Sequence, residues 1–535
     1  MSGYLRRLAT TGAAYTAASI ISKLIAVALL PLYTRYLTPA DYGAAEVMFA
    51  AVVALSIVIR LGVIEALLRF YYKQGEDPEK VVSTSFATLF WAGLVASVVL
   101  FPFAGPISEL LLGESDPDLV RIAIPGLFVL TLSEYLLTIF RLDERARAFF
   151  TVTMISVLIT IPVTVILVVP LDMGAEGLLL GSYGTGLIVV LGLIVYNRRR
   201  LALLPDRPLL GRMMAFGLPT MPAELSLYSL SFIDRILIAR TLGLAEAGLY
   251  ALAVKVSQGI SVLVRGFQLA FPPLAYSIED DDEARRAYSA VVTWFVAVMS
   301  FVVAFLWLAA PWIVAVFAAP EFREAAEVVG PVSAGAALYA LYMVLLVVLG
   351  RTGRTEYNLP ATGAGLVVNI GLNLLLLPVW GIVGAGVALV VSYLVVVVLM
   401  YVFTQRLFPV PYEWLRLGRL LLATAALVAI GEVFVPEEGI GWLVVRLLLV
   451  AALPLLLLVT GFFTPGERAW LKLLTRPGEL KAKVLEARRV GKQAGESEPA
   501  TGGDETGVGS GSKEGPRRGL PEAVEVEQWD EDLRS

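Results

Sequence analysis

The chain has 535 residues, 58% of them hydrophobic and 16% charged, and its mean hydropathy of +0.78 is far above that of a soluble protein of this length. It contains neither cysteine nor histidine. Disulfides, thiolate nucleophiles, imidazole bases and Cys/His zinc sites are therefore excluded.

At about 20 apolar residues per crossing, the sequence predicts an all-α polytopic membrane protein with about fourteen transmembrane helices. Six spans, near 10–32, 43–66, 82–104, 119–140, 149–170 and 175–196, form an N-terminal lobe over 1–205. Six more, near 211–233, 247–272, 288–311, 326–349, 358–379 and 382–404, form a C-terminal lobe over 206–410. Two additional spans, near 417–435 and 440–462, occupy 411–463. Over 464–535 a basic juxtamembrane stretch from Arg468 to Lys492 precedes a Gly/Ser/Glu-rich tail, too poor in apolar residues to pack and expected to be disordered.

Basic residues recur on alternate loops: Arg6–Arg7, Arg69/Lys73/Lys80, Arg141/Arg145/Arg147, Arg198–Arg200, Arg285–Arg286, Arg351/Arg354 and Arg406/Arg416/Arg419. The positive-inside rule makes that side cytoplasmic. Both termini are then expected in the cytoplasm, with short acidic loops such as Glu109–Asp118 outside.

A displacement of 205 positions superposes Leu32, Arg35, Leu37, Ala40, Asp41, Gly43, Ser56 and Arg60 on Leu237, Arg240, Leu242, Ala245, Glu246, Gly248, Ser261 and Arg265. One of 210 superposes Arg141, Gly174, Ala175, Leu179, Ser182 and Tyr183 on Arg351, Gly384, Ala385, Leu389, Ser392 and Tyr393. Matching arginines and acids favour tandem duplication over shared composition, and such repeats place two lobes around a central site.

Polar stripes mark that site. Tyr15, Thr16, Ser19, Ser22 and Lys23 share one face of the first span, and Lys255, Gln258, Ser261 and Arg265 share one face of the eighth. A Lys or Arg at mid-bilayer costs about 2.5–3.5 kcal/mol, so Lys23, Arg60, Lys255 and Arg265 are expected to face a hydrated cleft. Arg60 and Arg265 lie near the cytoplasmic ends of their spans, where snorkelling is an equal alternative. Glu224, beyond Pro219 and Pro222, is the candidate for ion coupling or for neutralising a lysine. Asp234–Arg235 is expected to anchor the outer end of its helix, and Asn369 and Asn373 to pack between helices. The acidic run Glu279–Glu283 resembles half of a magnesium-diphosphate site but lacks a partner cluster on the same side, so it is expected to start a solvated helix. No nucleotide-binding, cofactor or metal-ligand pattern is present.

Three passages resemble a known family: Leu29–Gly43 (LLPLYTRYLTPADYG); Phe216–Pro219 with Phe232–Arg235 and Gly248–Lys255; and Pro378–Gly386 (PVWGIVGAG). They are similar to the oligosaccharide and polysaccharide flippases of the multidrug/oligosaccharidyl-lipid/polysaccharide exporter (MOP) superfamily, over about Ser19 to Tyr412. The resemblance implies two pseudo-symmetric six-helix bundles of the MATE type. It further implies alternating access, an undecaprenyl-diphosphate-linked oligosaccharide as substrate, and polysaccharide polymerase or assembly proteins as partners in a bacterial or archaeal plasma membrane. A cationic cavity formed by Lys23, Arg60, Lys255, Gln258 and Arg265, outnumbering Glu224, suits a diphosphate. The competing readings are a peptidoglycan lipid-precursor flippase, which shares the cationic cavity, and a drug or cation antiporter, which needs an anionic one. A membrane glycan polymerase or ligase would need a substantial outer loop, which the chain lacks.

Overall fold

The computed structural model describes residue 17 and residues 21–22, 25–465 and 467–468. Lys23, Tyr15, Thr16 and Ser19, most of the basic stretch and the Gly/Ser-rich tail lie outside the described residues. The chain divides into a unit Met1–Phe462 and a unit Phe463–Ser535, the second described at only five positions.

The described helices are α1 (Leu30–Tyr36), α2 (Pro39–Arg60), α3 (Val63–Phe70), α4 (Pro78–Leu100), α5 (Ala104–Leu112), α6 (Pro117–Leu142), α7 (Ala146–Val168), α8 (Gly174–Asn197), α9 (Arg207–Gly217), α10 (Met221–Thr241), α11 (Leu244–Ser257), α12 (Gly259–Ser277), α13 (Asp281–Phe317), α14 (Ala326–Arg351), α15 (Asn358–Leu407), α16 (Trp414–Phe434) and α17 (Ile440–Val459). Among the described residues ten helices are long and apolar enough to cross a membrane, or eleven if α11 and α12, bent by 43°, count as one span. The chain is thus a multi-pass helical membrane protein.

Local chemistry explains where the helices begin and break. Thr38 and Asp41 form a reciprocal capping box at the start of α2, with Pro39 at the first helical position, so the freed N–H groups are satisfied. Where a span over 211–233 is expected, α9 gives way at Leu218–Thr220 to a 3-10 turn before α10, because Pro219 and Pro222 each remove an N–H, and neither helix is among those long and apolar enough to cross. α10 runs on to Thr241 and keeps Glu224, Asp234, Arg235 and Arg240, too many ionisable groups for a lipid-facing helix. α15 has 50 residues, about 75 Å of straight helix at 1.5 Å per residue, far more than one bilayer. It bends at Gly381 (φ 56, ψ -144), and a Cβ on Gly384 would sit 2.7 Å from the Leu376 carbonyl oxygen, so its two arms fold back on each other. The acidic run starts α13 as expected: Asp280 Oδ1 accepts from the Glu283 N–H at 2.7 Å.

α2 is central to the packing. It lies against α6 from the N-terminal helices and against α10 and α11 from the C-terminal ones. α9 packs on α3 and α4, with Leu209 and Met213 buried among Val63, Leu67, Val81 and Leu136. α15 covers α10 and α14, and α16 and α17 pack on α13.

One close crossing joins repeat-related residues. A Cβ on Gly43 would lie 1.9 Å from the Leu244 oxygen, and one on Gly248 would lie 2.0 Å from the Pro39 oxygen. Positions 39 and 43 become 244 and 248 under the displacement of 205, so the contact is reciprocal, as in a two-fold interface.

Candidate functional site

Two clusters of charge lie at different heights along α2. Glu46, buried in its second turn, receives Lys255 Nζ on Oε1 at 3.0 Å and Arg235 Nη1 on Oε2 at 3.5 Å. Arg235 is 3% exposed, and its guanidinium lies 5.0 Å over the Phe232 ring. Fourteen residues further along α2, about 21 Å at 1.5 Å per residue, Arg60 pairs with Glu134 of α6 and, through Nη2 at 3.0 Å, with Glu224 of α10. Each cluster ties an N-terminal helix to a C-terminal one.

This geometry revises several expectations. Glu224 neutralises Arg60 and not a lysine, because it stands at the start of α10 beside the end of α2, about a helix length from Lys255. Arg60 does not snorkel; it is buried between two carboxylates. The cations do not outnumber the acids as the sequence suggests: Glu46 and Glu134 add two carboxylates to Glu224, so the paired clusters approach electroneutrality. Both acids stand within spans, and the insertion cost that singled out the lysines applies to them too.

Asp234–Arg235 does not anchor the outer end of its helix; both residues are buried. Asp234 accepts from the Tyr250 hydroxyl and from Asn373 Nδ2, each at 2.8 Å. Asn373 also donates to the Asn369 carbonyl at 2.9 Å, so the two asparagines pack between helices as expected. Among the described residues no group of three or more acids is placed to hold a metal.

Of the remaining candidates, Gln258 lies in the joint between α11 and α12, where its carbonyl accepts the Ser261 hydroxyl at 2.6 Å. Arg265, on α12, is exposed and forms no ion pair among the described residues. Lys255 keeps a quarter of its side chain exposed. The structure therefore brings Lys255 to Glu46, brings Arg60 to Glu224, and leaves Arg265 apart from both.

The helical bundle, whose halves meet at a reciprocal glycine crossing with charges buried at the seam, shares its fold with solved membrane transporters of the MOP superfamily. The structure resembles Lipid II flippase MurJ in an inward closed conformation (TM-score 0.65, 13% identity, 84% of this chain and 97% of that one). It also resembles an inward-facing multidrug resistance MATE family transporter of the MOP superfamily (TM-score 0.61, 16% identity, 72% and 94%). Residues 32–327 match the family described as Polysaccharide biosynthesis protein, and the chain belongs to that family. The succinoglycan biosynthesis transport protein ExoT of Rhizobium meliloti (strain 1021) is 28% identical over 269 residues, 48% of this chain. That match spans 52%, about half, of the length of ExoT.

Proposed function

We propose that the protein carries lipid-diphosphate-linked oligosaccharides from the cytoplasmic to the outer leaflet by alternating access, in fourteen spans arranged as two six-helix bundles plus α16 and α17, with both termini cytoplasmic. The observation that carries this reading is Arg265. It is an exposed arginine within a span, without a carboxylate partner among the described residues, and a cation so placed is costly unless an anion or water attends it. A diphosphate supplies that anion, and Lys255 and Arg60 can turn to it when their carboxylates release them. Family membership and the MOP fold support transport as the activity. A polymerase or ligase gains no support from the charges, which lie within the spans. In this reading the Gly43–Gly248 crossing closes the outer side, and Glu224, released from Arg60, takes up a proton or a sodium ion.

One observation favours a cation extruder instead. The Glu134 and Glu224 side chains are 41% and 33% exposed, which suits an organic cation. Reconstitution separates the two. Purified protein in vesicles should accelerate transfer of an undecaprenyl-diphosphate-linked oligosaccharide to the far leaflet, read by its accessibility to an added glycosidase, and Arg265→Ala should slow it about tenfold, a loss of about 1.4 kcal/mol. Accumulation of an organic cation with no lipid transfer overturns the proposal.

A further inference from the structure

We infer that Tyr228 and Tyr339 form a sugar subsite, in which the Tyr228 ring carries a pyranose and the flanking Glu134 and Glu224 accept its hydroxyls. This rests on the transport reading above and names the part of the substrate that reading leaves unplaced. Glu224, Tyr228, Phe232 and Arg235 follow at intervals of four, four and three along α10, so they share one face. The stripe runs about 16 Å, from the Arg60 cluster to the Glu46 cluster. Tyr228 stacks on Phe232 with centroids 4.7 Å apart and planes at 16°. Arg235 lies against Phe232. One face of the Tyr228 ring is thus backed, while the residue stays 36% exposed.

Glu224, one turn before Tyr228 on the same face of α10, is held by Arg60 of α2, which also pairs with Glu134 of α6. Tyr339 of α14 packs edge-on against Tyr393 with centroids 5.6 Å apart, and the Tyr393 hydroxyl bonds Ser231 of α10. Helices from both halves of the chain thus meet along this part of α10. Neighbouring tyrosines are satisfied: Tyr393 bonds Ser231 at 2.9 Å and Tyr342 bonds Asn358 at 2.8 Å. The hydroxyls of Tyr228 and Tyr339 make no hydrogen bond among the described residues, which leaves both for a ligand.

The chemistry of this surface selects its ligand. A wholly apolar ligand would strip water from Glu134 and Glu224 without replacing their hydrogen bonds, which is costly. While Arg60 stays paired with them, the same carboxylates would repel a phosphate. A pyranose offers a C–H face to the ring and hydroxyl donors to the acids, and satisfies both.

The test compares the affinity of the purified full chain for undecaprenyl diphosphate with that for undecaprenyl-diphosphate-linked oligosaccharides beginning with glucose, galactose or N-acetylglucosamine. At least one glycosylated lipid should bind about tenfold tighter than the bare lipid, the scale of one aromatic platform with its hydrogen bonds. Tyr228→Leu should erase that gain while the bare lipid still binds, and Tyr228→Phe should keep most of it. Should the leucine variant fail to fold, Tyr228→Phe combined with Tyr339→Phe must cut the gain at least threefold. Retention of the gain in the leucine or double variant, or equal loss for both lipids, overturns the subsite. Wild-type protein that binds bare and glycosylated lipids alike overturns it too and leaves the transport reading standing. Failure to bind any of these lipids overturns both.

Discussion

Gly43 and Gly248 occupy repeat-equivalent positions and meet each other: the backbone of each half fills the space that a Cβ on the other would need, 1.9 Å from the Leu244 oxygen and 2.0 Å from the Pro39 oxygen. Backbone cannot yield as a side-chain tip does, so a larger residue at either position must push α2 and α11 apart. Gly248→Val should therefore open the seam. Ala251, buried one turn further along α11, reports it: an Ala251→Cys thiol should react with an impermeant outer reagent several-fold faster in the valine background. The chain has no cysteine of its own. Equal labelling rates would show that the crossing is not the outer closure.

Glu46 neutralises two cations of the C-terminal helices, which makes its loss asymmetric with theirs. Glu46→Gln leaves Lys255 and Arg235 facing each other without a counter-charge and should cost about 3–5 kcal/mol, the scale of a broken buried pair. Lys255→Met should cost less, since Arg235 still holds Glu46 at 3.5 Å. Combining the two should recover part of the loss, because the residues are in direct contact. Thermal unfolding in detergent measures all three, and strict additivity would dissolve the network.

At the other cluster, Arg60 keeps Glu134 when Glu224 is removed. With both carboxylates partly exposed, Glu224→Gln should change stability by less than about 1 kcal/mol. Its effect should appear in transport, which loses dependence on a proton or sodium gradient while lipid binding persists. Undiminished gradient dependence would make Glu224 a structural partner of Arg60 alone.

Arg446 on α17 is fully buried. It donates to the Val435 carbonyl at 2.8 Å, to the Leu308 carbonyl of α13 at 3.2 Å and to Glu432 of α16 at 3.2 Å. One side chain thus fastens the last two helices to α13. Arg446→Ala leaves the two carbonyls without this donor, at about 1–3 kcal/mol, while the part-exposed Glu432 turns to water, and should lower the unfolding midpoint and the folded yield. A midpoint equal to wild type would mean that apolar packing alone holds the pair.

Orientation is tested with single cysteines. Those at the exposed Arg199 and Asp282 should be shielded from impermeant reagent in intact cells, and one at Asp118 should be labelled. The reverse pattern would invert the assigned topology.

The sequence by itself determined the solvent of this protein and much of its plan. Span length and the cost of charge in lipid depend on composition alone, so the apolar spans, the proline break before α10, the acidic start of α13 and the family-bearing passages were legible. The displacement of 205 residues even paired two glycines that touch. Partnership was not legible. Glu46 and Glu134 bear the same insertion cost as Lys255 and Arg60, but which acid meets which base depends on how α2 is rotated between α6, α10 and α11, and no helical periodicity fixes the angle between separate helices. For the same reason Asp234–Arg235, which reads as a helix-end anchor, is buried in the seam. Tyr228 gives no local signal: an aromatic residue in an apolar span has the pattern of a core residue. Only tertiary structure, by bringing the Arg60–Glu134–Glu224 cluster to the turn before it, distinguishes it from one.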